Sequence, residues 1–121
     1  MSHAIILFAH GARDPEWARP LQRLAEAVRA MEPGTPVLTA FLELMEPDLV
    51  EAASQAVQAG ADKLVVVPVF LAQGGHVRRD VPMMLDKIRA QHAGLQIELR
   101  PALGEAQAVI DAMARQVVQG S

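Results

Sequence analysis

The chain has 121 residues, of which 51% are hydrophobic, and this composition suits one domain built around one apolar core. Aromatic residues amount to 3% and the formal net charge is −3, so the sequence offers neither the stacking surfaces nor the basic balance typical of nucleic-acid binding. The absence of cysteine excludes disulfides, thiolate metal sites and cysteine nucleophiles, so any metal site must use histidine, carboxylate or water.

The sequence shows no targeting signal or membrane span. Its first apolar run, Ala4–Ala9, is shorter than the core of a signal peptide and has no basic stretch before it. None of its apolar runs is long enough to cross a bilayer. We therefore expect a cytoplasmic protein with no membrane partner.

The first half of the chain reads as two strand–helix units. Ala4–Ala9 is a buried-strand candidate, and Asp14 is a suitable cap for a helix over Pro15–Met31, whose apolar residues recur at helical spacing. Val37–Leu42 is the second predicted strand, and Pro47 is predicted to begin the second helix.

The second half repeats this alternation. Lys63–Phe70 is the strongest strand candidate, and its continuous apolar character is typical of a strand buried on both faces of a parallel sheet. Pro68 cannot donate to a strand ladder, so we place it near the end of this strand or at a bulge. A helix over Val81–Gln91, a weak strand over Gln96–Leu99 and an amphipathic helix over Glu105–Val118 are predicted to follow.

Strand–helix alternation with short connections predicts parallel strands joined by right-handed crossovers. We therefore predict an α/β fold, a single doubly wound four-stranded parallel sheet flanked by helices. We expect residues 1–121 to form one domain.

Three polar residues follow the first three predicted strands. His10 directly follows the first strand, Glu43 directly follows the second, and His76 follows the third across Gly74-Gly75. Ligands of open parallel sheets bind beyond the carboxyl ends of the strands, so these side chains should meet at one edge. Taken singly, each has a plainer interpretation, as a turn histidine, a solvated carboxylate or an ordinary glycine turn. Their convergence on one edge favours a functional site.

Other polar residues need a separate interpretation. Arg78 and Arg79 can be read as surface charges near a helix start, but cations there oppose the helix dipole, so a nearby anion would help to account for them. His3 and His92 lie away from the predicted edge, and we interpret both as structural or solvated residues.

Two histidines and one carboxylate suit the handling of a divalent metal. Neutral imidazole binds cobalt, nickel, iron or zinc, and histidine also exchanges protons near neutral pH. Such a ligand set leaves coordination positions open, which permits transfer of the metal instead of permanent structural binding. Zinc-dependent hydrolysis would use the same ligands, but the helical HExxH arrangement is absent from the sequence.

The segments LFAHGARDP, AFLELMEPDL and VVVPVFLAQGGHVRRDVP together resemble the short CbiX-type sirohydrochlorin cobaltochelatases, which are class II tetrapyrrole chelatases. The resemblance covers nearly the whole chain, with the same order and spacing of motifs, and is most specific from Pro68 to Pro82. One position departs from the family pattern, because Ala12 stands where the usual motif has a serine. The hydroxyl lost there is one that would bind a substrate carboxylate or cap a helix.

The resemblance implies a function for the predicted edge. His10 and His76 would bind the metal and face the macrocycle, with Glu43 as a third ligand or proton acceptor. The expected reaction is insertion of cobalt into sirohydrochlorin in cobalamin or tetrapyrrole biosynthesis, with nickel or iron insertion as alternatives. No nucleotide is expected, because the sequence has no Walker-type loop. The resemblance also implies a fold like half of a larger chelatase, and pairing of two chains as a homodimer.

The substrate implied by the resemblance also explains the cations near the histidines. Sirohydrochlorin carries acetate and propionate groups, which guanidinium groups pair with well. The predicted substrate-binding residues are therefore Arg13, Gly74, Gly75, Arg78 and Arg79.

Two other functions stay open from the sequence. The segment AHGAR partly matches the Arg-His-Gly motif of histidine phosphatases, but alanine precedes His10 and the arginine comes after it. A non-catalytic carrier of metal or tetrapyrrole would use the same ligands as a chelatase, so only turnover would separate the two.

Overall fold

Four parallel strands form one sheet in a computed structural model that describes residues 2–120, apart from the side chain of His76. The strands are hydrogen-bonded in the order β2-β1-β3-β4. Every pairing is parallel, which confirms the predicted α/β class and sheet type. Their bounds are β1 His3–Ala9, β2 Val37–Phe41, β3 Lys63–Pro68 and β4 Gln96–Leu99.

Helices alternate with the strands along the chain. Short 3-10 turns at Pro15–Ala18 and Leu103–Glu105 precede the first and the last of them. None of the described helices is long and apolar enough to span a membrane. The helices are α1 Arg19–Met31, α2 Leu49–Gln58, α3 Gly75–Gln91 and α4 Gln107–Gln119.

The first two helices begin close to the positions that local sequence signals predicted. Asp14 accepts a hydrogen bond from the Glu16 N–H, as its predicted capping role requires, although the first turn is a 3-10 turn and α1 proper begins at Arg19. Helix α2 begins two residues later than predicted, at Leu49 and not at Pro47. The Asp48 carboxylate accepts from the Glu51 N–H at 2.8 Å, so the acidic residue after the proline is the cap.

The predicted start of the third helix at Val81 is wrong, because α3 begins at Gly75 and Pro82 lies inside it. The side chain of Val77 is buried, and it extends the stripe of Val81, Leu85 and Ile88 by one turn. Tertiary packing of that stripe therefore outweighs the local signal of a helix entry before the proline. As a result, His76, Arg78 and Arg79 lie on a helix and not in a loop.

The sheet separates two apolar layers, and its strands alternate between them. Ile6 and Phe8 pack on the side covered by α2 and α3, whereas Leu7 and Ala9 pack on the side covered by α1. Pro68 is the last residue of β3, as predicted, so its missing N–H does not interrupt the ladder. This arrangement fixes the carboxyl ends of β1, β2 and β3 at one edge.

Candidate functional site

His10 and Glu43 meet at the carboxyl edge of the sheet. His10 Nε2 lies 3.0 Å from Glu43 Oε1, and the two side chains are 48% and 51% exposed. The ladder between β1 and β2 continues into both loops, because the Leu42 N–H donates to the Ala9 carbonyl and the Glu43 N–H donates to the His10 carbonyl. The backbone therefore positions this pair, while both polar heads stay open to solvent and ligands.

Gly11 makes this close approach of the two loops possible. Its φ of +96° lies in the left-handed region, and a Cβ built there would overlap the carbonyl oxygen of Glu43. Any side chain at this position would push the Glu43 backbone away from His10.

Phe70, two residues beyond the end of β3, supports His10, a role that was not predicted from the sequence. The rings of Phe70 and His10 meet edge to face, with centroids 6.4 Å apart and an interplanar angle of 84°. Phe70 also contacts Phe8 edge to face, so one aromatic ring links the imidazole to the core. The available sequence signal was the position of Phe70 at the end of the strongest predicted strand, Lys63–Phe70.

His76 is placed by its backbone alone. It occupies the first turn of α3, directly after the loop that leaves β3 beside His10, and its side chain lies outside the described part of the structure. Among the described side chains, no group of three His, Cys, Asp or Glu residues gathers as a metal site. The described part of the predicted site is thus the pair of His10 and Glu43.

The glycines before His76 are not required by packing. Gly74 has extended backbone angles of φ −75° and ψ 169°, which any residue adopts. A Cβ at Gly74 or Gly75 would meet no atom within 4 Å. Both glycines are exposed, so this loop presents bare backbone next to the site.

The predicted cationic residues lie close to His10 and His76 in the sequence, and their side chains are exposed to solvent. Arg13 lies in the loop after β1, and Arg78 and Arg79 lie in the first two turns of α3. Within residues 2–120, none of these three arginines forms an ion pair. Their guanidinium groups are therefore available to an anionic ligand.

The remaining histidines lie elsewhere, as predicted. His3 begins β1 at the opposite edge of the sheet, where its Nε2 is 3.7 Å from Glu32 Oε2. His92 follows α3, and its Nε2 lies 3.3 Å from the Ser54 hydroxyl.

Comparisons with known proteins identify the family and the fold of this chain. The CbiX family model matches residues 4–120. The chain is 45% identical over 82 residues to the sirohydrochlorin cobaltochelatase of Methanopyrus kandleri, a match that covers 68% of this chain and 57% of that protein. It is 36% identical over 103 residues to the enzyme of the same name from Saccharolobus solfataricus, covering 78% of this chain and 76% of that protein. The match thus spans less than two thirds of the Methanopyrus protein.

Two solved structures share the fold. The cobalamin (vitamin B12) biosynthesis CbiX protein of Marinobacter aquaeolei VT8 superposes with a TM-score of 0.82 at 36% identity, over 98% of this chain and 95% of that one. The sirohydrochlorin chelatase SirB of Bacillus subtilis subspecies spizizenii, in complex with cobalt, superposes with a TM-score of 0.83 at 25% identity, over 98% of this chain and 51% of that one. Since the family model covers the chain almost from end to end and the fold agrees, this chain belongs to the CbiX family.

Proposed function

We propose that this protein is a chelatase that inserts a divalent metal ion, cobalt in the first place, into sirohydrochlorin. The observation that carries the proposal is the half-exposed pair of His10 and Glu43, 3.0 Å apart at the carboxyl edge of the sheet. Support comes from membership of the CbiX family and from relatives named sirohydrochlorin cobaltochelatase.

The pair of His10 and Glu43 suits both requirements of metal insertion. The reaction exchanges two pyrrole protons for one divalent ion, so the site must hold the ion and accept protons. Neutral imidazole binds borderline ions such as cobalt, and imidazole and carboxylate both take up protons. We assign ion binding to His10 and His76, and we assign proton acceptance to Glu43 or to a histidine. All three are therefore our candidate catalytic and metal-binding residues.

The macrocycle is proposed to dock over the loop between β3 and α3. Gly74 and Gly75 leave the backbone bare there, so a flat ring would approach closely without meeting side chains. Arg13, Arg78 and Arg79 are exposed, and they would pair with the acetate and propionate groups of the substrate.

We further propose that residues 1–121 act as one chelatase-like domain, that two copies form a homodimer, and that the enzyme works in the cytoplasm without a nucleotide. The chain corresponds to 51% of SirB, so a second copy would supply the area that the other half of that protein provides. Symmetric pairing is also the commonest form of oligomer.

Anaerobic incubation of the protein with sirohydrochlorin and, separately, with cobalt, nickel or ferrous ions tests the proposal. Absorbance reports insertion, and we expect the highest rate above the protein-free control with cobalt. Turnover of more than one equivalent per chain separates a chelatase from a carrier. A rate equal to that of the protein-free control with every ion would refute the proposal, and a higher rate with nickel or iron would correct the metal.

A further inference from the structure

Helix α4 differs from the other helices because it covers no core. Within residues 2–120, its main contact is with the short turn Leu103–Glu105, and every residue of α4 except Val109 is exposed. Val117 of α4 is 82% exposed. By contrast, each of the other three helices buries at least two apolar residues. An amphipathic helix left in this state exposes apolar surface that a partner would normally cover.

The turn before α4 is firmly held. The Gly104 N–H donates to the Phe70 carbonyl at 2.9 Å, and a Cβ built on Gly104 would overlap the backbone of Leu71. This contact joins the start of α4 to the loop that leaves β3. The structure therefore fixes the start of α4, and along its apolar residues exposure rises from Ile110 at 40% and Met113 at 37% to Val117 at 82%.

The apolar residues of α4 form one stripe. Val109, Ile110, Met113 and Val117 recur at helical spacing on one side of α4. Val118 is as exposed as Val117, at 85% against 82%, but it lies about 100° further round the helix, outside the stripe.

A matching apolar groove lies on the α1 side of the sheet. Among the described residues, the buried helical residues of this face belong to α1 and the turn before it, and Leu103 of the turn before α4 is half-buried beside them, since α2 and α3 lie on the other face. The space beside α1, beyond the ends of β1 and β3, is a groove of about 400 Å³. Its lining consists of Ala9, Trp17, Pro20, Leu21, Leu24 and Val69.

The area available indicates which partner fits. A helix of 13 residues is about 20 Å long and about 10 Å across. Half of such a cylinder has roughly 300 Å² of surface, well below the roughly 800 Å² that each partner buries in a stable interface. In a twofold pair, each protomer contributes both a helix and a groove, which raises the area to roughly 600 Å² before neighbouring loops are counted. The area therefore favours a second copy of this chain.

We infer that α4 of each protomer packs its apolar stripe into the groove of the other protomer, in a reciprocal exchange. The inference rests on the homodimer of the proposed function and assigns its contact surfaces. It also places the interface beside the site, because the groove residues Ala9 and Val69 directly precede His10 and Phe70.

Sedimentation equilibrium on the full chain tests the inference with a matched pair of variants. Val117→Glu puts a charge into the interface, and we expect dimerisation to weaken roughly 10-fold or more. Val118→Glu changes an equally exposed valine outside the stripe, and its dimer should match the wild type. Trp17→Glu in the groove should weaken the dimer as Val117→Glu does. A monomeric wild type, or a Val117→Glu variant that dimerises as tightly as Val118→Glu, would overturn the inference.

Trp17 gives a second readout, because it is the single tryptophan in the sequence. Its emission should shift to longer wavelength when wild-type protein is diluted into monomers, and the Val117→Glu variant should show the shifted spectrum at high concentration. Emission that is independent of concentration in the wild type would contradict burial of the groove by a partner.

Cross-linking distinguishes binding of α4 to the groove of the other protomer from binding of α4 to the groove of its own protomer. Because the sequence has no cysteine, Trp17→Cys and Val117→Cys each introduce one thiol. The two single variants, mixed and treated with a bifunctional thiol reagent, should give a covalent heterodimer. An intrachain link in the double variant without a heterodimer in the mixture would overturn the inference. A dimer that behaves as expected but inserts no metal would refute the proposed function and leave the exchange intact.

Discussion

The imidazole of His10 and the carboxylate of Glu43, which follow different strands, lie 3.0 Å apart across the carboxyl edge of the sheet. The ladder hydrogen bonds that continue beyond β1 and β2 hold their backbones together, and Gly11 provides the space between the two loops. Both side chains remain about half exposed, so the pair is accessible to a metal ion and to a large planar substrate.

Replacing either member of this pair should impair metal insertion without unfolding the protein. We expect His10→Ala to lower the insertion rate about 100-fold or more, because it removes a group that binds the ion and exchanges protons. Glu43→Gln keeps the size of the side chain and should lower the rate through loss of proton acceptance. Initial rates with cobalt and sirohydrochlorin measure both effects, and circular dichroism checks the fold. Near wild-type turnover in either variant would remove that residue from the mechanism.

His76→Ala should have an effect comparable to that of His10→Ala, because the first turn of α3 follows the loop beside His10. Isothermal titration with cobalt should show weaker binding in both variants. His92→Ala is the matched control, since this histidine contacts Ser54 away from the site and should leave the insertion rate unchanged. Cobalt affinity equal to the wild type in His76→Ala would argue against a metal-binding role.

The arginines at the start of α3 should act on the macrocycle and not on the ion. We expect Arg78→Ala and Arg79→Ala to raise the KM for sirohydrochlorin, since each removes a partner for substrate carboxylates, while cobalt affinity stays unchanged. Lys87→Ala removes an exposed cation further along the same helix and serves as the control. Weaker cobalt binding with an unchanged KM would reverse the assignment.

Gly11→Ala should cost more stability than an alanine at another glycine with positive φ. At Gly34, where φ is +89° and no atom lies within 4 Å of a built Cβ, we expect a loss of about 1 kcal/mol from backbone strain alone. At Gly11 the overlap with the Glu43 carbonyl adds to the strain, so a loss of about 3 kcal/mol is expected. Urea unfolding of both variants measures the difference, and equal losses would mean that the two loops are not tightly apposed.

Sequence alone determined the strands, their parallel pairing and the edge to which His10 and Glu43 belong. Continuous apolar runs separated by helical periodicity have few structural solutions, and parallel strands end at a common edge. The metal and substrate roles of His10, Glu43 and His76 stay predictions from the sequence and its family resemblance.

Other features depend on contacts between segments that are distant in the sequence, so only the tertiary structure showed them. The early start of α3 follows from burial of Val77, and the support of His10 by Phe70 follows from the register of β3 beside β1. The amphipathic pattern of α4 predicted a helix, but only the structure showed that its far end is uncovered, with Val117 82% exposed. The spacing of apolar residues in the sequence shows which side of a helix is apolar. Packing between residues that are distant in the sequence determines which surface that side contacts.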